Sequence, residues 1–146
     1  MQNIKLNGDK ELIAKLVKMD GDLAGTLEAA VISGALIVQN DAKERAPYLT
    51  GTLIRSIHSE TTEKSPQRVV VQVGTDVVYA AIQEFGGIIT AKNGPYLRFK
   101  TRNGNWVTTA SVNIPPHPYL RPSLDENKDK VQKEVIDTLR ELVEAR

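Results

Sequence analysis

Leu27-Glu28-Ala29-Ala30-Val31-Ile32-Ser33-Gly34-Ala35-Leu36-Ile37-Val38-Gln39-Asn40-Asp41-Ala42 is the stretch on which the fold turns. Leu27, Ala30, Val31, Gly34, Ala35, Val38 and Ala42 recur at intervals of three and four. That repeat lines residues up along one side of an α-helix. Asp22 or Thr26 is placed to cap its start. Lys43 and Arg45 fall in its last turn, where cations suit the negative end of the helix. Pro47 pushes Ala46 out of helical geometry and ends it. Ala30, Ser33, Gly34 and Ala35 are small enough to let a second helix or a sheet approach closely. The longest apolar run, Ala29–Val38, is broken by Ser33 and Gly34. It is too short for a membrane span of about 20 residues, so the reading expects a soluble protein and no membrane partner.

Upstream, Gly8-Asp9 and then Lys10–Met19 read as a short helix, capped by Asp9, with Leu12, Ile13, Leu16 and Val17 at helical spacing. Gly21 and Gly25 loosen the connection. Downstream, Tyr48–Gly51 is a loop, and Thr52–Ile57 makes a helical turn capped by Thr50 or Thr52. A strand over Ile57–Thr62, a turn at Lys64-Ser65-Pro66 and a strand over Val69–Gly74 follow. Thr75–Phe85 returns to helical spacing through Val78, Ala81, Ile82 and Phe85, with Gly86 where a left-handed cap sits. Leu97–Arg102 and Asn105–Thr109 flank Asn103-Gly104, the pair preferred in a two-residue type I′ hairpin loop. That register places Leu97, Phe99 and Trp106 on one face and Arg98, Lys100 and Arg102 on the other. Ile114-Pro115-Pro116-His117-Pro118 is irregular, because proline removes a donor and fixes the backbone. A last helix runs from about Pro122 to Ala145, buried through Leu124, Val131, Val135, Leu139 and Leu142. The sum is an α+β domain, with long terminal helices on a mainly antiparallel sheet.

The 146 residues suit one domain spanning 1–146. The absence of cysteine removes disulfides, iron–sulfur clusters, Cys-based zinc sites and thiol nucleophiles. The net charge of +1 conceals a pattern. Residues 1–47 carry −1, residues 48–121 carry +4 and residues 122–146 carry −2. Acidic ends around a basic middle suit solvated helices, or subunits meeting one another.

Chemistry finds little purchase. His58 and His117 are the two imidazoles, and neither has a nucleophile or acid placed to converge on it. Glu60/Glu63 and Asp125/Glu126/Asp129 are the nearest carboxylate groupings, one along a strand edge and one at a helix start. Gly86-Gly87 follows a helix instead of preceding one, the wrong context for a phosphate loop. The reading therefore expects no catalytic residue, no metal and no cofactor. One constellation suits nucleic acid: Arg98, Lys100 and Arg102 near a hairpin tip. Basic residues of this kind also keep an exposed strand edge from aggregating.

Three separated motifs carry a resemblance. The first is Ala46-Pro47-Tyr48-Leu49-Thr50-Gly51-Thr52-Leu53-Ile54-Arg55-Ser56-Ile57. The second is Val73-Gly74-Thr75 with Tyr79-Ala80 and Gln83-Glu84-Phe85-Gly86. The third is Pro116-His117-Pro118-Tyr119-Leu120-Arg121-Pro122, followed by Asp125-Glu126. In this order, after a long helix and over about residues 25–130, the chain resembles the lambdoid-type bacteriophage "gene ten" tail-component family. Its members are neck or tail-completion proteins of long-tailed phages. The resemblance implies a non-enzymatic virion protein, made in the bacterial host cytoplasm. It implies a homo-oligomeric ring between the head-closure or connector protein and the tail tube or tail terminator, with DNA passing through. Pro47, Gly51, Tyr79, Phe85, Gly86, Pro118, Leu120 and Pro122 are then scaffold positions, with Tyr79 and Phe85 anchoring the small helix. Residues 88–113 insert a hairpin. Contacts are expected at Arg98, Lys100, Arg102, Asn103, Trp106, Arg55 and Arg121, in the 86–95 loop and at the ends of the terminal helices. The alternative is a small nucleic-acid-binding module that uses the basic hairpin.

Overall fold

The structure, a computed structural model, describes residues 10–18, 22–48 and 51–145. Asp9, Met19, Gly21, Leu49 and Thr50 lie outside the described residues, as do the side chains of Leu12, Ile13 and Val17. The elements in order are α1 (Lys10–Val17), α2 (Leu23–Arg45), α3 (Thr52–Ser56), β1 (His58–Lys64), β2 (Val69–Gly74), α4 (Ala80–Phe85), β3 (Gly87–Thr90), β4 (Leu97–Lys100), β5 (Trp106–Thr109), β6 (Ser111–Ile114) and α5 (Leu120–Glu144). The class is α+β, as the alternating periodicities imply, and every strand pair is antiparallel. The strands form three separate two-stranded ribbons, β1–β2, β3–β6 and β4–β5, and no continuous sheet.

α2 organises the body because it packs against both α5 and the β1–β2 ribbon. Asp22 caps it by accepting the Gly25 N–H at 2.8 Å. Ala30 and Val38 meet Val131, Val135 and Leu139 of α5 in one buried cluster, with Val73 of β2 packed beside it. The close approach rests on Gly34, where a Cβ would come 2.7 Å from Val135 Cγ2 and 3.0 Å from Val131 Cγ1. Even one added methyl would overpack the seam. Ser33 and Thr138 share a hydrogen bond of 3.0 Å between the two helices. By length and apolar content α2 could cross a membrane, a point the run Ala29–Val38 taken alone does not raise. Its buried residues are Thr26, Ala30, Gly34, Ala35, Val38 and Ala42. Packed as they are, they make it a core helix.

A second cluster joins Ala42, Ala46, Leu53, Ile57, Ala80 and Tyr119. It draws α2, α3, α4 and the start of α5 to one end of the body. Arg45 pairs with Asp41 at 2.8 Å and with Glu126 of α5, and Asn127 donates to Asp41 at 2.9 Å. Lys64 of β1 reaches Glu28 of α2 at 2.7 Å. This partner raises the lysine pKa and, with Thr61, lowers that of the glutamate. α5 begins at Leu120, which leaves Pro122 in its first turn, where a missing N–H costs nothing.

The helix expected over Thr75–Phe85 is shorter. Thr75 Oγ1 accepts the Val77 N–H at 3.2 Å and shares a 2.6 Å hydrogen bond with Ser56. That local bonding gives the backbone an alternative to helix until Ala80. Val78 is consequently 98% exposed and contributes no apolar stripe. α4 buries Ala80 and Glu84, and Phe85 is 66% exposed. Tyr79 too is exposed, so neither aromatic anchors the helix as expected.

Candidate functional site

Residues 87–114 form an arm. β3 pairs with β6 at its base, Gly87 opposite Ile114 and Thr90 opposite Ser111. β4 pairs with β5 at its tip. The sequence pattern missed β3 and β6, because Ile88-Ile89 and Ser111–Ile114 are too short to show a period of two. Among the described elements no helix packs against either ribbon beyond marginal contact. The base is fixed at Gly86, which has φ +69 and lies so close to Ile114 O and Pro116 N that a Cβ would stand 2.8 Å from each. Gln83 O accepts the His117 N–H at 2.7 Å on the same side.

The hairpin loop differs from expectation, and the difference rearranges the candidate site. Leu97 pairs with Thr109, Arg98 with Thr108, Phe99 with Val107 and Lys100 with Trp106. A type I′ loop needs positive φ at both central residues. Here Gly104 alone takes it, at +85, and no non-glycine residue among those described does. The loop therefore has three residues, Arg102-Asn103-Gly104, closed by Thr101 N–H to Asn105 O at 2.8 Å and Gly104 N–H to Thr101 O at 2.9 Å. The Thr101 hydroxyl adds bonds to the Asn105 backbone at 3.1 and 3.2 Å. A shift of one residue moves a whole side-chain set to the other face. Trp106 accordingly leaves Leu97 and Phe99 and joins Arg98 and Lys100. The Arg98 guanidinium lies over its ring, 4.8 Å from the centroid. Arg102 and Asn103 sit in the loop itself.

The arm thus has two unlike faces at its tip. Leu97, Phe99 and Val107 line one, and Arg98, Lys100 and Trp106 the other. Nearer the base, Ile89, Val112 and Ile114 share one side of β3–β6 and Ile88 stands on the other. Ile88, Ile89, Tyr96, Phe99 and Trp106 are all exposed. Five large apolar side chains exposed on one short arm mark it as an interaction surface. Arg55 and Arg121 lie apart from it. Arg55 is on α3 beside Tyr48 and Gly51. Arg121 is in the first turn of α5, 5.9 Å from the Phe85 ring, on the wall of an open cleft with Pro116, Pro118 and Pro122. The structure brings five of the seven candidate contact residues to one arm and leaves two on the body.

A residue the sequence reading passed over ties the arm's root to the body. Glu84 is buried, and its carboxylate accepts three backbone N–H groups at the start of α5. Oε2 takes Tyr119 at 2.7 Å and Leu120 at 2.9 Å, and Oε1 takes Arg121 at 2.9 Å. The N-cap residue, Tyr119, makes no side-chain cap of its own. A side chain from α4 therefore supplies the anion that a helix N-terminus prefers. Its signal in the sequence was a helix start without Ser, Thr, Asp or Asn at the cap.

Tyr119 itself is fully buried, and among the described residues its hydroxyl has no hydrogen-bond partner. Burial, reinforced by the Glu84 carboxylate, pushes its pKa up to about 12. The protonated phenol is what the fold accepts. Its contribution is intact below pH ~10, the usual tyrosine value, and is lost as pH rises through about 12. Tyr119→Phe should remove an orphaned polar atom and raise stability by about 1 kcal/mol. In a phenolate absorbance titration it should also delete one late-titrating tyrosine. An unchanged titration curve in the variant would refute the assignment.

Comparison with known proteins places these features. The family model described as "Bacteriophage HK97-gp10, putative tail-component" matches residues 10–86. No curated protein and no solved structure matches the chain. The matched segment covers α1 through α4 and stops at the root of the arm, so the third motif, residues 116–122, falls outside it. That motif is joined to the matched part through Glu84. On a match over more than half its length, the chain belongs to the HK97-gp10-like family of bacteriophage tail components, structural proteins of the virion.

Proposed function

We propose that the protein acts at the head–tail junction of a long-tailed phage, as a neck or tail-completion subunit. Copies assemble into a ring that joins the head-side connector to the tail tube or tail terminator and leaves a channel for DNA. The whole chain, 1–146, works as one unit. The observation that carries this reading is the arm: exposed apolar side chains on two short ribbons against which, among the described elements, no helix packs beyond marginal contact. In the ring the apolar face, with Leu97, Phe99 and Val107, lies against a neighbouring subunit, and burial of that face drives assembly. The purified subunit is monomeric until it meets the connector or tail end. Phage lacking this gene should accumulate DNA-filled heads and free tails that fail to join, visible by electron microscopy. Infectious particles at normal yield would defeat the reading.

A further inference from the structure

We propose that the basic face of the arm tip binds duplex DNA along its phosphate backbone. Three observations support this, none of which depends on ring assembly. First, residues 87–114 contain Lys92, Arg98, Lys100 and Arg102 and no Asp or Glu. Among the described residues, Arg98, Lys100 and Arg102 have no carboxylate partner. Four cations on a segment with no Asp or Glu of its own, against which no described helix packs beyond marginal contact, form a field that a polyanion satisfies. Second, the three-residue loop places Trp106 opposite Lys100 and under Arg98. Stacking holds the guanidinium in place, so Arg98 loses less side-chain freedom on meeting a phosphate. Arg98 and Lys100 are two residues apart on one strand, about 7 Å by strand geometry, and both project from the same face. Third, a two-stranded ribbon suits the backbone and major groove of duplex DNA in width.

A second copy of the chain is a poorer match for this face. Of the exposed carboxylates of α5, Asp125 and Glu126 are paired with Lys128 and Arg45, Asp129, Glu134 and Glu141 alternate with Lys130, Lys133 and Arg140, and Glu144 is a single charge at the helix end, so the helix offers no acid-only strip. The two faces of the tip therefore take different partners, protein on the apolar side and DNA on the basic side.

Trp106 is the chain's only tryptophan, so its fluorescence reports from within the proposed site. The test titrates the full-length protein with a labelled 30-base-pair duplex and follows both label anisotropy and Trp106 emission. Binding should perturb the emission. Affinity should fall about 40-fold between 50 and 200 mM salt, as three phosphate contacts require. The triple variant Arg98→Gln, Lys100→Gln, Arg102→Gln should lose at least tenfold in affinity with an unchanged circular dichroism spectrum. Absence of binding at 50 mM salt would overturn the proposal. So would full affinity in the triple variant, or binding of polyglutamate as tight as that of the duplex, which would reassign the face to an acidic protein. A failure here leaves the junction role standing, because that role is read from particle assembly.

Discussion

Glu84→Ala should lower the stability of the folded chain by about 2–4 kcal/mol, the largest loss we expect from removing any single polar side chain in this fold. Three backbone N–H groups at the start of α5 point at one carboxylate, within 2.9 Å of it. Alanine leaves the buried Tyr119 N–H and the part-buried Leu120 and Arg121 N–H groups without this acceptor, and it removes the charge that the helix N-terminus favours. For a chain of this size the loss corresponds to a fall of roughly 10 °C in melting temperature. Glu84→Gln should recover only part of it. The glutamine amide keeps one oxygen acceptor, but its NH2 group meets the remaining N–H donors with the wrong polarity. Thermal unfolding of the two variants beside the parent chain checks both statements. Equal stability for all three would mean that water supplies the cap and that Glu84 is incidental.

The effect would reach beyond α5. Gln83 and Gly86, on either side of Glu84 and Phe85, hold the Pro segment through the His117 N–H and the close approach to Ile114 and Pro116. Gln83, Glu84 and Gly86 therefore position the last helix and both roots of the arm. The sequence pattern displayed Gln83-Glu84-Phe85-Gly86 but pointed to the wrong member. An aromatic beside a helix invites the reading of an anchor, yet Phe85 faces solvent beneath Arg121, and the buried side chain is the charged one. Periodicity weighs apolar side chains, whereas the partners of Glu84 are backbone groups 35 or more residues further on. No pattern of side chains records such a bond. The helices α2 and α5 were legible because their spacing and end signals are local. The hairpin was legible in position and not in register, since Asn103-Gly104 is compatible with two loops. Thr101, whose hydroxyl grips Asn105, favours the longer one. The register that this loop sets places Trp106 on the basic face instead of the apolar one, and so shapes what the arm can bind.

The second large effect should fall on assembly and leave stability almost untouched. Gly87 and Ile114 are paired residues at the base of the arm. Directly opposed residues in an antiparallel ribbon lie only about 5 Å apart at their Cα atoms. Residues 88–113 can therefore be replaced by a two- or three-residue Gly-Ser link without moving α4 or α5. The body's buried clusters contain no residue of the arm. Its melting temperature should accordingly stay within a few degrees of the parent, because loop closure across so short a link is inexpensive and no core contact is lost. Phage carrying this deletion should nonetheless yield filled heads and unjoined tails, as loss of the whole gene should, since the apolar face that would meet a neighbour has gone. Infectivity close to that of the parent phage would place the assembly contacts on the body, at the ends of α2 and α5 and around Arg55 and Arg121. A collapse in melting temperature would mean that the arm supports the core after all. Stable body with lost joining is the outcome that separates what this chain needs in order to fold from what it needs in order to assemble.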